Sequence, residues 1–237
     1  MEFGSTAFWL ALGQIIWINI LLSGDNAVVI ALAARSLPPK QQKQAIMIGS
    51  GAAIVMRIVL TLVAAQLLQL PWLKTIGAVL LLYIGVTLVL PEEESEGEGS
   101  EAGGMVAAVR TILIADLVMS LDNVIAVAAA AKGSTLLLVI GLALSIPLVI
   151  FGSTLLLKVI ERFPVVVWLG AGLLGFIAGE IVVEDPAFKD SLVAFAAQNG
   201  IPADTLAVTC GILGVVIVLL IGWLMIKRRG KPGGHAA

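Results

Sequence analysis

The sequence predicts an all-α polytopic membrane protein with seven transmembrane helices, arranged as two inverted three-helix repeats plus a C-terminal helix. Three observations predict it. Of 237 residues, 59% are hydrophobic and only 13% charged, with a mean hydropathy of +1.08. Soluble domains carry less apolar residue than this, and in lipid only helices and closed barrels satisfy every backbone polar group. The apolar residues also gather into seven runs, each near the roughly 20 residues that span a bilayer as helix. Finally, one polar string recurs deep inside two of those runs, as Ser23-Gly24-Asp25-Asn26 and Ser120-Leu121-Asp122-Asn123.

The runs place spans at 7–34, 45–68, 72–90, 105–131, 134–157, 164–183 and 205–226. The first is long enough to hold an irregular stretch, and Gly24 beside Asp25 suits a local unwinding that frees backbone carbonyls. No Lys or Arg precedes Arg35, so this run reads as a span and not as a signal peptide, which needs a basic start. Pro147 falls inside the fifth span and predicts a kink there. Trp9, Trp17, Trp72, Trp168 and Trp223 sit where interface anchors are expected.

Short-loop charges orient the chain. Arg35, Lys40 and Lys43, then Lys158 and Arg162, then Lys227, Arg228, Arg229 and Lys231 fall on one side; only Lys74, Lys132 and Lys189 fall on the other. Nine against three puts the N-terminus outside and the C-terminus in the cytoplasm. Between the third and fourth spans, Pro91–Gly104 carries Glu92, Glu93, Glu94, Glu96, Glu98 and Glu101 among four glycines. Such a composition reads as an acidic cytoplasmic tether. The predicted organisation is therefore 1–90 as the first repeat, 91–104 as the linker and 105–185 as the second repeat. The remaining 186–237 hold an outer loop, the seventh helix and a basic tail.

The repeat rests on polar residues, which are rare in spans. Shifting the chain by 97 (Ser23 to Ser120) lays Leu21–Ala34 over Val118–Ala131 and Asn19 over Asp116. A slightly smaller shift lays Ile48-Gly49 over Ile140-Gly141, Gly77-Ala78 over Gly170-Ala171, and Tyr83-Ile84 over Phe176-Ile177. Three spans per copy is an odd number, so the second copy enters the membrane from the opposite side. In transporters built this way the binding site lies near the midplane, where the repeats meet.

An ionised Asp in a membrane helix costs about 2.5–3.5 kcal/mol to insert, so intramembrane carboxylates mark pathways or bound ions. Asp25, Asp116 and Asp122, with Asn19, Asn26, Asn123, Ser23 and Ser120, form a set of hard oxygen donors. Such donors suit Mg, Ca or Mn over soft metals. The single Cys210 and the single His235 supply neither a disulfide framework nor a Cys/His metal site. Asp116, Ser120 and Asn123 share one helix face, as do Asn19, Ser23 and Asn26. Asp25 and Asp122 sit about 100° from their Asn neighbours and join them only around a shared cavity or a distorted helix. Arg57, mid-span, reads either as a static ion pair with one Asp or as a counter-ion that takes the carboxylate when a cation leaves. Glu180, aligned with Thr87, reads as an outer-gate ligand or as an interfacial residue beside Glu184 and Asp185. Gln14, Gln66 and Gln69 are equally ambiguous.

On the strings LSGDNAVVIALAAR (Leu22–Arg35) and DLVMSLDNV (Asp116–Val124), with seven spans and an acidic break, the chain resembles the TerC family of integral membrane proteins within the LysE-like transporter group. The resemblance implies a multi-pass protein of the bacterial inner membrane that exports Mn2+ as bound substrate. It places the family's acidic motif residues at Asp25, Asp116 and Asp122, with Asn26 and Asn123 beside them. Protons are the candidate counter-ion, and no nucleic-acid partner and no enzymatic activity are expected. Two other classes compete. An intramembrane aspartyl protease also uses two Asp on two helices, but Ser-Gly-Asp does not match its Gly-x-Gly-Asp string. A non-transporting partner that loads secreted metalloproteins is the third reading.

Overall fold

The structure is a computed structural model that describes residues 6–21, 23–67, 69–90, 100–131, 134–200 and 202–229. Among the described residues the chain is all helix and holds no strand. The first apolar run is helical as α1 (Thr6–Leu21) and α2 (Ser23–Ala34) on either side of Leu22, which lies outside the described residues; Gly24 and Asp25, where an unwinding is expected, are helical. α3 (Pro39–Leu67) and α4 (Leu73–Val89) follow, then α5 (Ser100–Ala131), α6 (Thr135–Arg162), α7 (Val165–Val183), α8 (Lys189–Gln198) and α9 (Ala203–Arg229).

Five segments are long and apolar enough to cross a membrane: Pro39–Val63, Gly104–Leu121, Thr135–Arg162, Val165–Val183 and Thr205–Arg228. They correspond to the second, fourth, fifth, sixth and seventh predicted spans. The first and third predicted spans are shorter apolar helices, Phe8–Trp17, Gly24–Ala34 and Leu73–Val89. Within the predicted outer loop lies a ten-residue helix, α8, which the apolar-run reading passed over because its sequence is mixed. α5 begins at Ser100, before the apolar run does; residues 91–99 of the acidic tether lie outside the described residues.

Local signals explain the boundaries. The Ser134 hydroxyl accepts the backbone N–H of Leu137 and caps α6. α6 runs through Pro147 without ending, as membrane helices do when neighbours take up the freed carbonyl. Pro164 opens α7, where a fixed φ and a missing N–H cost nothing. Exposed Val55, Val59, Leu62, Phe151, Leu155 and Leu169 present apolar surface outward, as lipid-facing helices must.

The chain packs as two compact units. One contains α1, α2, α3, α5 and α6; the other contains α4, α7, α8 and α9. In the first unit Phe8, Leu12 and Ile15 of α1 pack with Leu137, Leu138 and Leu142 of α6 and Val127 of α5. Two glycines set the closest approaches there. A Cβ on Gly49 of α3 would come within 2.8 Å of the Ile112 side chain of α5, and one on Gly141 of α6 would meet Ile15 of α1. The second unit is a small-residue contact. Cβ atoms on Gly175 and Gly179 of α7 would land on the backbone of Gly214 and Cys210 of α9. This is the small-xxx-small packing that lets membrane helices approach. Val86, Val89, Ala171 and Val218 close its core.

Candidate cation site

Arg57 lies in the interior of α3 and is only 5% exposed. A buried guanidinium in an apolar helix demands a carboxylate partner, and α5 supplies it. Arg57 Nη2 lies 2.5 Å from Asp116 Oδ1. Arg57 Nε donates to Ser120 Oγ at 3.0 Å, and Ser120 Oγ donates to Asp116 Oδ2 at 3.1 Å. The last bond spans one turn of α5, as the i, i+4 spacing of Asp116 and Ser120 predicts. Both carboxylate oxygens of Asp116 are thus engaged, one by the guanidinium and one by the hydroxyl. Thr61 Oγ1 bonds the Arg57 carbonyl at 2.7 Å.

Beside this network lies a small cavity of about 10 Å³, room for about one water. Its polar wall is Asn26 of α2, Ser50 and Arg57 of α3, and Asp116 of α5; Ile30, Ala53, Ile54, Leu142 and Val149 complete it. Four helices therefore meet at one small cavity with a polar wall, all within the first unit. Ser50 is 1% exposed, and among the described residues its Oγ has no hydrogen-bond partner. A buried hydroxyl left so costs about 1–3 kcal/mol, which a ligand or water in the cavity would offset.

The remaining predicted site residues are distributed as follows. Asp25 is half-buried on α2, and its Oδ1 accepts the Asn26 N–H at 2.8 Å. Asn123 is half-buried on α5. The side chains of Asn19, Ser23 and Asp122 lie outside the described residues, as does that of Gln66. Glu180 is half-buried on α7, in the second unit. Gln14 and Gln69 are exposed. Among the described residues no three His, Cys, Asp or Glu side chains cluster as metal ligands. What the described residues bring together is one carboxylate, one guanidinium, two hydroxyls and one carboxamide. α5 passes through Ser120–Asn123 without a break, consistent with Leu121 standing where the first copy has Gly24.

Two features escaped the sequence reading. Ser50 was passed over as one more small residue in an apolar run; its i−7 spacing from Arg57, which puts it on the same helix face, was the available signal. Lys74, read as a loop charge, is buried in the first turn of α4 and pairs with Glu184 at 2.8 Å. Next to it the fully buried Asp185 accepts the Thr75 N–H and Thr75 hydroxyl, both at 2.9 Å, and the Ala187 N–H at 2.8 Å. Asp185 thereby caps α4 from the chain that follows α7, a contact over 110 residues that no local pattern reveals.

Residues 4–231 match the Integral membrane protein TerC family. The chain belongs to the TerC family. Its relatives include the uncharacterized membrane protein YjbE of Bacillus subtilis, 43% identical over 213 residues, covering 90% of this chain and 94% of that one. The UPF0053 inner membrane protein YgdQ of Escherichia coli K12 is 25% identical over 193 residues, 74% of this chain and 81% of that one. No solved structure matches. As a TerC family member with five span-length apolar helices, the chain is an integral multi-pass membrane protein.

Proposed function

We propose that this protein is a secondary transporter that exports Mn2+ across a bacterial inner membrane, with protons as the counter-ion. The site is at the midplane, between two inverted repeats that each contribute a Ser-x-Asp-Asn motif. The N-terminus lies outside and the basic C-terminus in the cytoplasm. The observation that carries the reading is the buried Arg57–Asp116–Ser120 network opening on a cavity walled by the motif residue Asn26. A carboxylate held by a tethered cation is poised for exchange with a free one. A divalent ion reaching Asp116 must displace Arg57, and Arg57 reclaims the carboxylate when the ion leaves. The donors are all oxygen or amide, which suits a hard cation; manganese itself comes from the family resemblance.

Packing supports the repeat. The shift of 97 (Ser23 to Ser120) carries Ile15 onto Ile112, and the shift of 92 (Ile48 to Ile140) carries Gly49 onto Gly141. The two close approaches, Gly49 on Ile112 and Gly141 on Ile15, are therefore the same contact with the copies exchanged. A pseudo-twofold arrangement requires such reciprocity. The protease reading is disfavoured by the Ser-Gly-Asp string, which does not match the Gly-x-Gly-Asp string of that class.

The test is Mn2+ flux in proteoliposomes of the purified protein, with Ca2+, Mg2+ and an imposed pH gradient as comparisons. Mn2+ should move, the gradient should drive it, and Asp25→Ala or Asp122→Ala should abolish it. Absence of flux, or flux surviving both substitutions, defeats the proposal, and the first result would favour the metalloprotein-loading partner.

A further inference from the structure

Resting on the transport reading, we propose that Ser50 is an additional oxygen ligand of the transported divalent cation, contributed by α3. Three observations carry this. Ser50 is 1% exposed, its hydroxyl has no partner among the described residues, and it lines the cavity that Asn26, Arg57 and Asp116 also line.

The lack of a partner is unusual for a helical hydroxyl in lipid. Such groups ordinarily bond back to the carbonyl one turn earlier. Thr61 does so to Arg57, Ser153 to Val149, Thr154 to Ile150 and Thr209 to Thr205. Ser120 instead joins Asp116. Ser50 does neither, so its lone pairs remain available to whatever occupies the cavity.

Spacing defines the geometry. Ser50, Ala53, Ile54 and Arg57 stand at i, i+3, i+4 and i+7, one face of α3, and all four line the cavity. Ser50 and Arg57 stand about two turns apart along α3, and both line the same cavity. The cavity admits about one water. An ion there has shed most of its hydration shell, and each protein oxygen replaces a water.

The repeat explains why the ligand is one-sided. The 92-residue shift lays Ser50 on Leu142 and Arg57 on Val149, and all four line the same cavity. α3 carries both polar groups; α6 supplies the matching apolar wall.

The experiment compares wild type, Ser50→Ala and Ser50→Cys in proteoliposomes, reading Mn2+ and Cd2+ flux, with thermal unfolding measured in metal-free detergent. Ser50→Ala should unfold no earlier than wild type, because it removes an unbonded hydroxyl, and should raise the KM for Mn2+ about tenfold. Ser50→Cys should swing the Cd2+-to-Mn2+ ratio toward cadmium, since a sulfur ligand favours the softer ion. An unchanged KM in Ser50→Ala, an unchanged ion ratio in Ser50→Cys, or early unfolding of metal-free Ser50→Ala overturns the assignment while leaving the transport reading intact. A wild-type protein that moves no divalent cation overturns both.

Discussion

Removing one member of the Arg57–Asp116 pair should cost far more than removing both. Arg57→Met leaves an anionic carboxylate among α2, α3 and α5; Asp116→Leu leaves a guanidinium there. Unit charges about 4 Å apart at an effective dielectric of about 20 attract by about 4 kcal/mol, and Arg57 and Asp116 are closer than that. Breaking a buried pair from either side costs about 3–5 kcal/mol, whereas replacing the whole pair with apolar residues is near neutral. The sum of the singles is then about 6–10 kcal/mol and the double variant should lie near zero. The neutral part of the network sets a lower scale. Interhelical hydrogen bonds in membranes average about 0.6 kcal/mol, so Ser120→Ala should cost about 1 kcal/mol or less. The assay is equilibrium unfolding of the four proteins in mild detergent, followed by intrinsic tryptophan fluorescence. A double variant as unstable as the sum of its singles would refute the reasoning, because the two charges would then not be stabilising each other.

Three further outcomes follow from the same structure. In flux measurements Arg57→Met should lower the KM for Mn2+ and also lower turnover, because the ion no longer competes with a tethered cation for Asp116 and nothing reclaims the carboxylate; a raised KM would contradict the exchange. Asp116→Asn should weaken Mn2+-dependent thermal stabilisation at least tenfold if Asp116 ligates the ion, and a silent substitution would restrict the site to Asp25 and Asp122. Asp185→Ala should lose the cap on α4, costing about 1–2 kcal/mol, and should speed hydrogen exchange at the Thr75 amide it binds; unaltered exchange there would show the contact to be dispensable.

The membrane helices were largely legible because their cause is local. A run of apolar residues in lipid must close its own backbone hydrogen bonds, whatever lies beside it. α3, α5, α6, α7 and α9 follow from that rule alone. α8 was missed because a short mixed-polarity helix on a surface has no such compulsion; its ten residues look like loop until they pack on α9. The first run shows an intermediate case, since Gly24 beside Asp25 suggests an unwinding in lipid, yet both residues are helical within α2.

The candidate site was legible as an inventory and not as an arrangement. Asp116 and Arg57 were nameable from their cost in lipid and Ser120 from the repeated string, and the i, i+4 bond from Ser120 to Asp116 followed from helix geometry. The choice of Asp116 as the partner of Arg57 did not follow. Asp25 and Asp122 were equal candidates, and the pairing spans 59 residues of chain. Ser50 shows the same limit from the other side, since serine carries no insertion cost large enough to draw attention and only its cavity gives it a role.

From the sequence alone came the family, the apolar helices and an inventory of oxygen donors, because residue type and periodicity act within one helix. Only the tertiary structure decided that Arg57 lies on Asp116, that Asn26 and Ser50 face them across one cavity, and that Asp185 caps a helix far away in the chain. Those depend on how closely helices approach, which Gly49 and Gly141 permit in one unit and Gly175 and Gly179 in the other. Glycines announce that an approach is allowed; the partner is chosen only when the helices pack.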